Sequence, residues 1–442
     1  MLFLLNQLWL RISSMREIFH SLLHKFPALD RYVTTALRAK FLRARYAIDA
    51  RRIRQKACEG EKIRLLFLVS EPAKWKAQSL FDILSADSRY EIVVAISIGD
   101  TDIALSHEER KAKVDSIVSW FQGRGILNCV LAYDSKTDRA LPLDRFQPDM
   151  VFYQQPWFIP PCQMPRVVSR YALTFYIPYF VPTFANNTMH CQLQLHKDVF
   201  RHFVLNEDWR KFYLSQIDTS SYAGDMIAVG HPFLDNIKMR VQGGSPDDYV
   251  IYAPHWSICH PKNPNELNLS TFPVFGAAML EYAQRHPEIR WVFRPHPTLK
   301  LALQRTSLMS DAEIAKYYDA WARVGEVSLA GGYTELFNHS RALITDCDSF
   351  LSEYAVTGNP VVRLVSEVKN NRHFSPLKSL FDSYYQVRDK EDFLRILDDV
   401  IVKGNDPMRK KRLYELSRTG LGRTRSAEQI ANHLHAIVEG RH

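Results

Sequence analysis

In VFRPHP, residues 292–297, an apolar run ends in an arginine and a histidine set between prolines. Pro295 and Pro297 restrict the backbone around His296, so holding its imidazole in place costs less entropy than in an ordinary loop. Arg294 carries a planar fork of donors that suits phosphate oxygens. Three other stretches place polar chemistry directly behind an apolar run. In IYAPHWSI (251–258), Pro254 stops a strand that includes Tyr252 and leaves His255, Trp256 and Ser257 together. In LITDCDSFLSEYAVTG (343–358), Asp346 ends the run and Asp348 or Ser349 opens a helix, whose exposed N–H groups and hydroxyl make a phosphate site. Glu353 lies four residues after Ser349, one turn along the same face, where a carboxylate can accept hydrogen bonds from ribose hydroxyls. In VGHPFLD (229–235), Gly230 and Pro232 shape a turn and Asp235 is placed to cap the next helix. Capping explains Asp235 or Ser349 alone, and a salt bridge beside a structural histidine explains Arg294 and His296 alone. The whole set points to a nucleotide diphosphate.

Such groups act together only if strands end side by side. From residue 63 onward, IRLLFLV (63–69), EIVVAIS (91–97), NCVLAYD (128–134), MVFYQQ (150–155), ALTFYI (172–177), HFVLN (202–206) and MIAVG (226–230) read as strands without alternation, as in a parallel sheet covered on both faces. The stretch at 106–125 has helical spacing and a glycine stop. After VQGGSPDD (241–248), the best linker, a second series follows: 249–254, a helix near 271–286, then 291–296, 327–331, 342–346 and 360–365. Two helical stretches, KEDFLRILDDVIVKG and SAEQIANHLHAIVEG, close the chain. The expected fold is α/β: two Rossmann-like parallel-sheet domains facing a cleft, residues 61–240 and 241–442, behind a helical arm at 1–60. In open α/β sheets ligands bind beyond the carboxyl ends of the strands, which is where the polar groups fall.

The 442-residue length exceeds what one core usually organises. The formal charge of +9 is not a nucleic-acid signal once it is located. Residues 1–60 hold 12 Lys/Arg against 4 Asp/Glu, whereas the other 382 residues hold 45 against 44. The apolar run at 2–10 is far below the roughly 20 residues of a membrane span and lacks the marks of a signal peptide. Leu2, Leu5, Trp9, Ile12, Phe19, Leu22 and Leu23 recur at helical spacing, with basic residues following at 38–56. That arm suits an anionic membrane surface, where each basic residue contributes about 1 kcal/mol, or else packs on the body with a solvated basic face. Cys58, Cys129, Cys162, Cys191, Cys259 and Cys347 stand far apart, which fits reduced core thiols and a cytosolic compartment. No spacing suggests a metal site.

With these residues in order, positions 225–435 resemble the CDP-glycerol glycerophosphotransferase family of teichoic-acid and capsule polymer synthesis, whose members have the GT-B fold. A G-x-P-x-x-D element is matched by Gly230, Pro232 and Asp235, and Y-A-P-x-W by Tyr252, Ala253, Pro254 and Trp256. R-x-H-P is matched by Arg294, His296 and Pro297, T-D-x-x-S by Thr345, Asp346 and Ser349, and the family's ending by Gly422, Ser426 and Ile430. The resemblance implies transfer of a polyol phosphate, most simply glycerol phosphate, from a CDP-activated donor to a hydroxyl of a cell-surface polymer or lipid-linked acceptor, with release of CMP and no cofactor. It places Arg294 and His296 at the donor pyrophosphate. The donor-site set comprises Tyr252, Pro254, Trp256, Ser257, Asp346, Asp348, Ser349 and Glu353. The family's H-G-T-P-L-K stretch, with its general-base histidine, has no counterpart here, so His190 and His255 are the candidates. The first lobe instead carries FYQQPWFIPP (152–161) and TFYIPYFVPTFANNTMH (174–190), aromatic and proline strings that suggest a different acceptor pocket. An enzyme of this kind would sit on the cytoplasmic face of the membrane, held by the arm. Two other readings fit the residues: a GT-B glycosyltransferase using a nucleotide-sugar in capsule or lipopolysaccharide synthesis, and a scaffold without turnover.

Overall fold

The computed structural model describes residues 27–99, 102, 104–181, 183, 191–240, 245, 248–259, 268–329, 332–365, 375–422 and 425–441. Helix α1 (Pro27–Cys58) comes first. Ala39, Leu42, Tyr46, Ala50 and Ile53 recur at helical spacing and are buried in the first core. Each large apolar side chain of that stripe stabilises the docked helix by about 1.5–3 kcal/mol. The basic face is largely paired. Arg38 bonds Asp198 at 3.1 Å, Arg45 bonds Asp49 at 3.0 Å, and Arg52 and Lys56 both reach Asp149, at 2.8 and 2.7 Å. The arm is thus part of the body from residue 39 onward, and the apolar positions between Leu2 and Leu23 lie outside the described residues. No described helix is long and apolar enough to cross a membrane.

The first lobe is built on β1 (Ile63–Val69), α2 (Gln78–Ser85), β2 (Tyr90–Ile96), α3 (His107–Gln122), β3 (Cys129–Leu131), β4 (Met150–Tyr153), β5 (Leu173–Tyr176), β6 (Arg201–Val204), α4 (Glu207–Gln216) and β7 (Asp225–Ala228). A reciprocal capping box between Ser106 and Glu109 starts α3, and the Asn206 side chain starts α4 by accepting from Trp209 N at 3.0 Å. The seven strands form a parallel sheet in the order β3-β2-β1-β4-β5-β6-β7, its inner strands buried on both faces as the unalternating runs require and the edge strands β3 and β7 only partly covered.

The second lobe contains β8 (Tyr249–Ala253), α5 (Phe272–Arg285), β9 (Trp291–Phe293), α6 (Leu299–Arg305), α7 (Asp311–Val324), β10 (Glu326–Val327), β11 (Ser340–Thr345), α8 (Asp348–Tyr354), β12 (Val361–Leu364) and β13 (Tyr385–Val387). Its six strands are parallel, in the order β10-β9-β8-β11-β12-β13. Strand β13 and helix α10 (Arg409–Thr419), which follows α9 (Lys390–Ile396), were not expected from the sequence. The strand expected at 327–331 is only Glu326–Val327, with residues 330 and 331 outside the described set. Helix α11 (Ser426–Glu439) follows the second sheet in the chain yet packs on the first lobe, with Ile430, Leu434 and Ile437 in the same core as β1 and α1. Of the cysteines expected as core thiols, Cys191 and Cys347 are buried, Cys129, Cys162 and Cys259 are half-buried, and Cys58 is exposed.

Candidate functional site

Both sheets reverse their strand order beside the first strand of the lobe, β1 in one and β8 in the other. Loops leaving neighbouring strands in opposite directions open a crevice there. In the second lobe that crevice is walled by the loops after β8, β9 and β11.

The loop after β8 presents His255 and Trp256, both half-buried. His255 Nδ1 accepts from Ser257 N at 3.2 Å and lies 2.8 Å from Ser257 Oγ. Ser257 Oγ itself accepts from Leu269 N, so its proton is free to point at the ring. The loop after β9 repeats this arrangement: His296 Nδ1 accepts from Thr298 N at 3.2 Å and lies 2.9 Å from Thr298 Oγ1. With Nδ1 an acceptor in each ring, the proton resides on Nε2. The rings stand 5.5 Å apart between centroids, with Trp256 5.7 Å from His255 and 6.1 Å from His296. His296 N also donates to Pro254 O at 3.0 Å, which ties the two loops together. Burial pushes His255 down to about 3, with His296 adding to the effect, and pushes His296 down to about 4, with Arg294 adding. Both rings are neutral at physiological pH. His296 therefore offers an N–H donor in this structure and no positive charge.

Arg294 is 8% exposed, and Nη1 donates to Ser328 O at 3.0 Å and Ser328 Oγ at 3.1 Å. Burial lowers its pKa without bringing it near neutrality. It is the permanent cation near His296.

The other expected donor residues divide. Tyr252 is a correction: it is fully buried, stacked 5.7 Å from both Phe293 and Trp321, because its position in β8 turns it into the helix layer and away from the strand end. Ser257 is also fully buried and orients His255. Pro254 is buried, and its carbonyl serves the His296 loop. Asp346 accepts from His255 N, Thr271 N and Thr271 Oγ1, so its two oxygens knit the β8 loop and the start of α5 to the end of β11. Helix α8 begins at Asp348 with Cys347 at its cap; Ser349 does not cap it but lies half-buried with Oγ 3.4 Å from Cys347 Sγ. Burial raises Asp348 to about 7, opposed by Arg363 and reinforced by Asp346. His190 lies outside the described residues.

Glu353 meets a partner of which the linear order holds no sign. Tyr333 Oη donates to Glu353 Oε2, and Lys76, from the loop after β1 in the opposite lobe, donates to Tyr333 Oη at 2.5 Å. Lys76 is 5% exposed, with Nζ 3.7 Å from the Phe233 ring centroid and 4.3 Å from that of Tyr333. Burial lowers Lys76, opposed by Glu353 and aided by Arg294, while burial raises Glu353, opposed by Lys76. This buried chain joins the lobes across the cleft. A lysine in KWKAQ carries no local sign of such a role, because Tyr333, which it bonds, lies 257 residues away.

The VGHPFLD stretch proves to be a fastening point. Asp235 accepts from Ser426 N at 3.0 Å and Ala427 N at 2.8 Å, so it caps α11 at the chain's far end and not the helix that follows it. Gly230 has φ +93°, and a Cβ there would stand 2.2 Å from Ser426 Oγ. Pro232 O accepts from Ser79 Oγ at 2.8 Å, and the buried His231 bonds Pro178 O at 2.7 Å.

Neither a family model nor a curated protein matches the sequence. Solved structures do match. The wall teichoic acid polymerase TagF, as an H444N variant soaked with CDPG, aligns at TM-score 0.54 and 10% identity over 86% of this chain and 89% of that one. A UDP-N-acetylglucosamine 2-epimerase aligns at TM-score 0.52 and 12% identity over 86% and 97% of the two chains. The S. aureus MnaA–UDP structure aligns at TM-score 0.50 and 12% identity over 85% and 96%. At these identities the likeness establishes the architecture: the chain has the GT-B fold.

Proposed function

We propose that this chain transfers a polyol phosphate, glycerol phosphate foremost, from its CDP ester to a hydroxyl of a cell-surface polymer or lipid-linked acceptor. The acceptor oxygen forms a new bond to the glycerol-bearing phosphorus, the bond from that phosphorus to the bridging oxygen breaks, and CMP leaves with the electron pair. The observation that carries this reading is the pair of neutral imidazoles at the β8/β9 ends, with the buried Arg294 near His296, beside the start of α8. Phosphoryl transfer is accelerated mainly by positioning and charge stabilisation, which that arrangement supplies. Arg294 provides fixed positive charge, and the Nε2–H groups of His255 and His296 donate to phosphate oxygens. Ser349 sits at the phosphates, and Glu353 turns from Tyr333 to the ribose as the donor enters. Lys76 then meets the pyrophosphate from the other lobe. His190 remains the candidate base. The division into an acceptor lobe before residue 241 and a donor lobe after it belongs to the same proposal, as does a peripheral position on the cytoplasmic membrane face.

Isothermal titration with CDP-glycerol, CDP-ribitol, UDP-sugars and CMP-sugars tests the reading. CDP-glycerol binds most tightly, and Arg294→Lys and Lys76→Met each weaken it at least about tenfold, equivalent to roughly 1.4 kcal/mol. Preference for a UDP-sugar would replace the reading with a glycosyltransferase or epimerase, and absence of nucleotide binding would favour a scaffold.

A further inference from the structure

The crevice of the first lobe, at the carboxyl ends of β1, β2 and β4, holds a recess that no residue of the donor site enters. Ser70, Ser97, Gln154, Gln155, Gln163 and Phe158 are among its lining residues, and none of those lining it is charged. Gln163 is fully engaged: Oε1 accepts from Ser97 Oγ at 2.7 Å, and Nε2 donates to Ala132 O and Leu141 O at 2.9 Å. Gln155 is engaged as well, accepting from Ser70 Oγ and Lys74 Nζ and donating to Trp157 O at 3.1 Å. Gln154 differs. It is 3% exposed, its Oε1 accepts from Lys76 N at 2.6 Å, and its Nε2 has no protein acceptor among the described residues. The recess thus offers one oriented N–H donor and the lone pairs of two serine hydroxyls.

Its rim is aromatic. Phe158 is 48% exposed and is held at φ +55°, a backbone region costly for a bulky residue, so the loop presents an apolar ring to solvent against local preference. Trp157 stands beside it, perpendicular to Tyr179 at 5.8 Å and tilted on Phe180 at 6.1 Å. Lys74 at the rim is already held by Glu71 at 2.8 Å and Gln155 at 2.9 Å.

We infer that this recess, whose volume of about 20 Å³ admits one or two hydroxyl-sized groups, is the inner edge of a saccharide subsite: a neutral pyranose lies outside it with its apolar ring face on Phe158 and sends hydroxyls in to Gln154 Nε2 and the serine oxygens. An apolar platform next to a few converging hydrogen-bonding groups is the form such recognition takes. A phosphate in the same place would be buried among uncharged groups, which is costly. Gln154 bonds the backbone of Lys76, and Lys76 reaches Tyr333 of the other lobe, so a bound sugar would border the cleft. The word acceptor for this ligand rests on the transfer reading above; the binding itself does not.

Saturation-transfer difference NMR on the full chain tests it, with methyl β-D-glucopyranoside and its N-acetylglucosamine analogue as probes and glycerol 3-phosphate as the charged comparator. The glycosides receive saturation on ring protons, at least fivefold more than glycerol 3-phosphate. Phe158→Gly, which removes the ring and suits the positive φ, and the isosteric Gln154→Glu, which removes only the N–H donor, each cut the transfer at least threefold. Stronger transfer to glycerol 3-phosphate, or glycoside transfer that is absent or unchanged in both variants, overturns the subsite. CDP-glycerol titrated into the same samples separates the two readings: sugar binding without nucleotide binding leaves the subsite standing and removes the transferase.

Discussion

Asp348 and the two imidazoles answer pH with opposite signs. Burial holds the Asp348 carboxyl up near about 7, so the native state keeps a proton that the unfolded chain releases above about pH 4. Its effect is therefore a loss of stability as pH climbs from about 4 to about 7. Asp348→Asn should raise stability at pH 8 by roughly 1–3 kcal/mol and leave it nearly unchanged at pH 4, as read by denaturant unfolding. An equal gain at both values would show that packing, not protonation, sets the effect. His255 and His296 run the other way: their folded values of about 3 and about 4 mean that stability falls as pH drops below about 6.5. At this scale, the placement of His255, Arg294 and His296 just beyond strand ends could be read from the sequence because the prolines marking those ends are local. Tyr252 could not be assigned, since its proximity to Pro254 does not say which face of β8 it occupies. Lys76, Tyr333 and Glu353 were opaque for a different reason: their meeting is set by how the lobes pack.

At the scale of elements, the attachment of α11 depends on three backbone details: the positive φ of Gly230, its contact with Ser426, and the two N–H groups that Asp235 accepts. Gly230→Ala should cost at least about 2 kcal/mol, from the clash together with the left-handed backbone. Hydrogen exchange should then quicken first across 426–439. Adding Ser426→Gly should restore the part due to the clash and leave the part due to φ; no recovery would mean that the close approach is not the cause. The strands were legible because parallel strands covered on both faces give unbroken apolar runs. Short β13 and α10 leave no sign in the sequence because Tyr385–Val387 is too brief for a pattern, and α10 is dominated by charged residues, with a narrow buried stripe at Arg412, Glu415, Leu416 and Thr419.

For the molecule as a whole, α1 changes what an arm deletion can test. Removing residues 1–58 would take Tyr46, Ala50 and Ile53 out of the first core, so loss of membrane binding in that variant would be confounded by unfolding. Removing residues 1–26 leaves the docked stripe intact. The full chain should float with anionic vesicles, while the shortened chain should stay behind and keep its melting temperature; undiminished flotation would exclude the arm as the anchor. The charge segregation, the two α/β series and the polar groups behind each strand were all present in the linear order, because hydrophobic periodicity and proline placement act over a few residues. Tertiary structure alone decided that basic residues of the arm pair with Asp149 and Asp198, that the last helix returns to the first lobe, and that a first-lobe lysine reaches Tyr333 and, through it, Glu353. Each of these joins residues far apart in the chain. Such contacts arise from burying two surfaces together, and neither surface alone carries the pattern of the other.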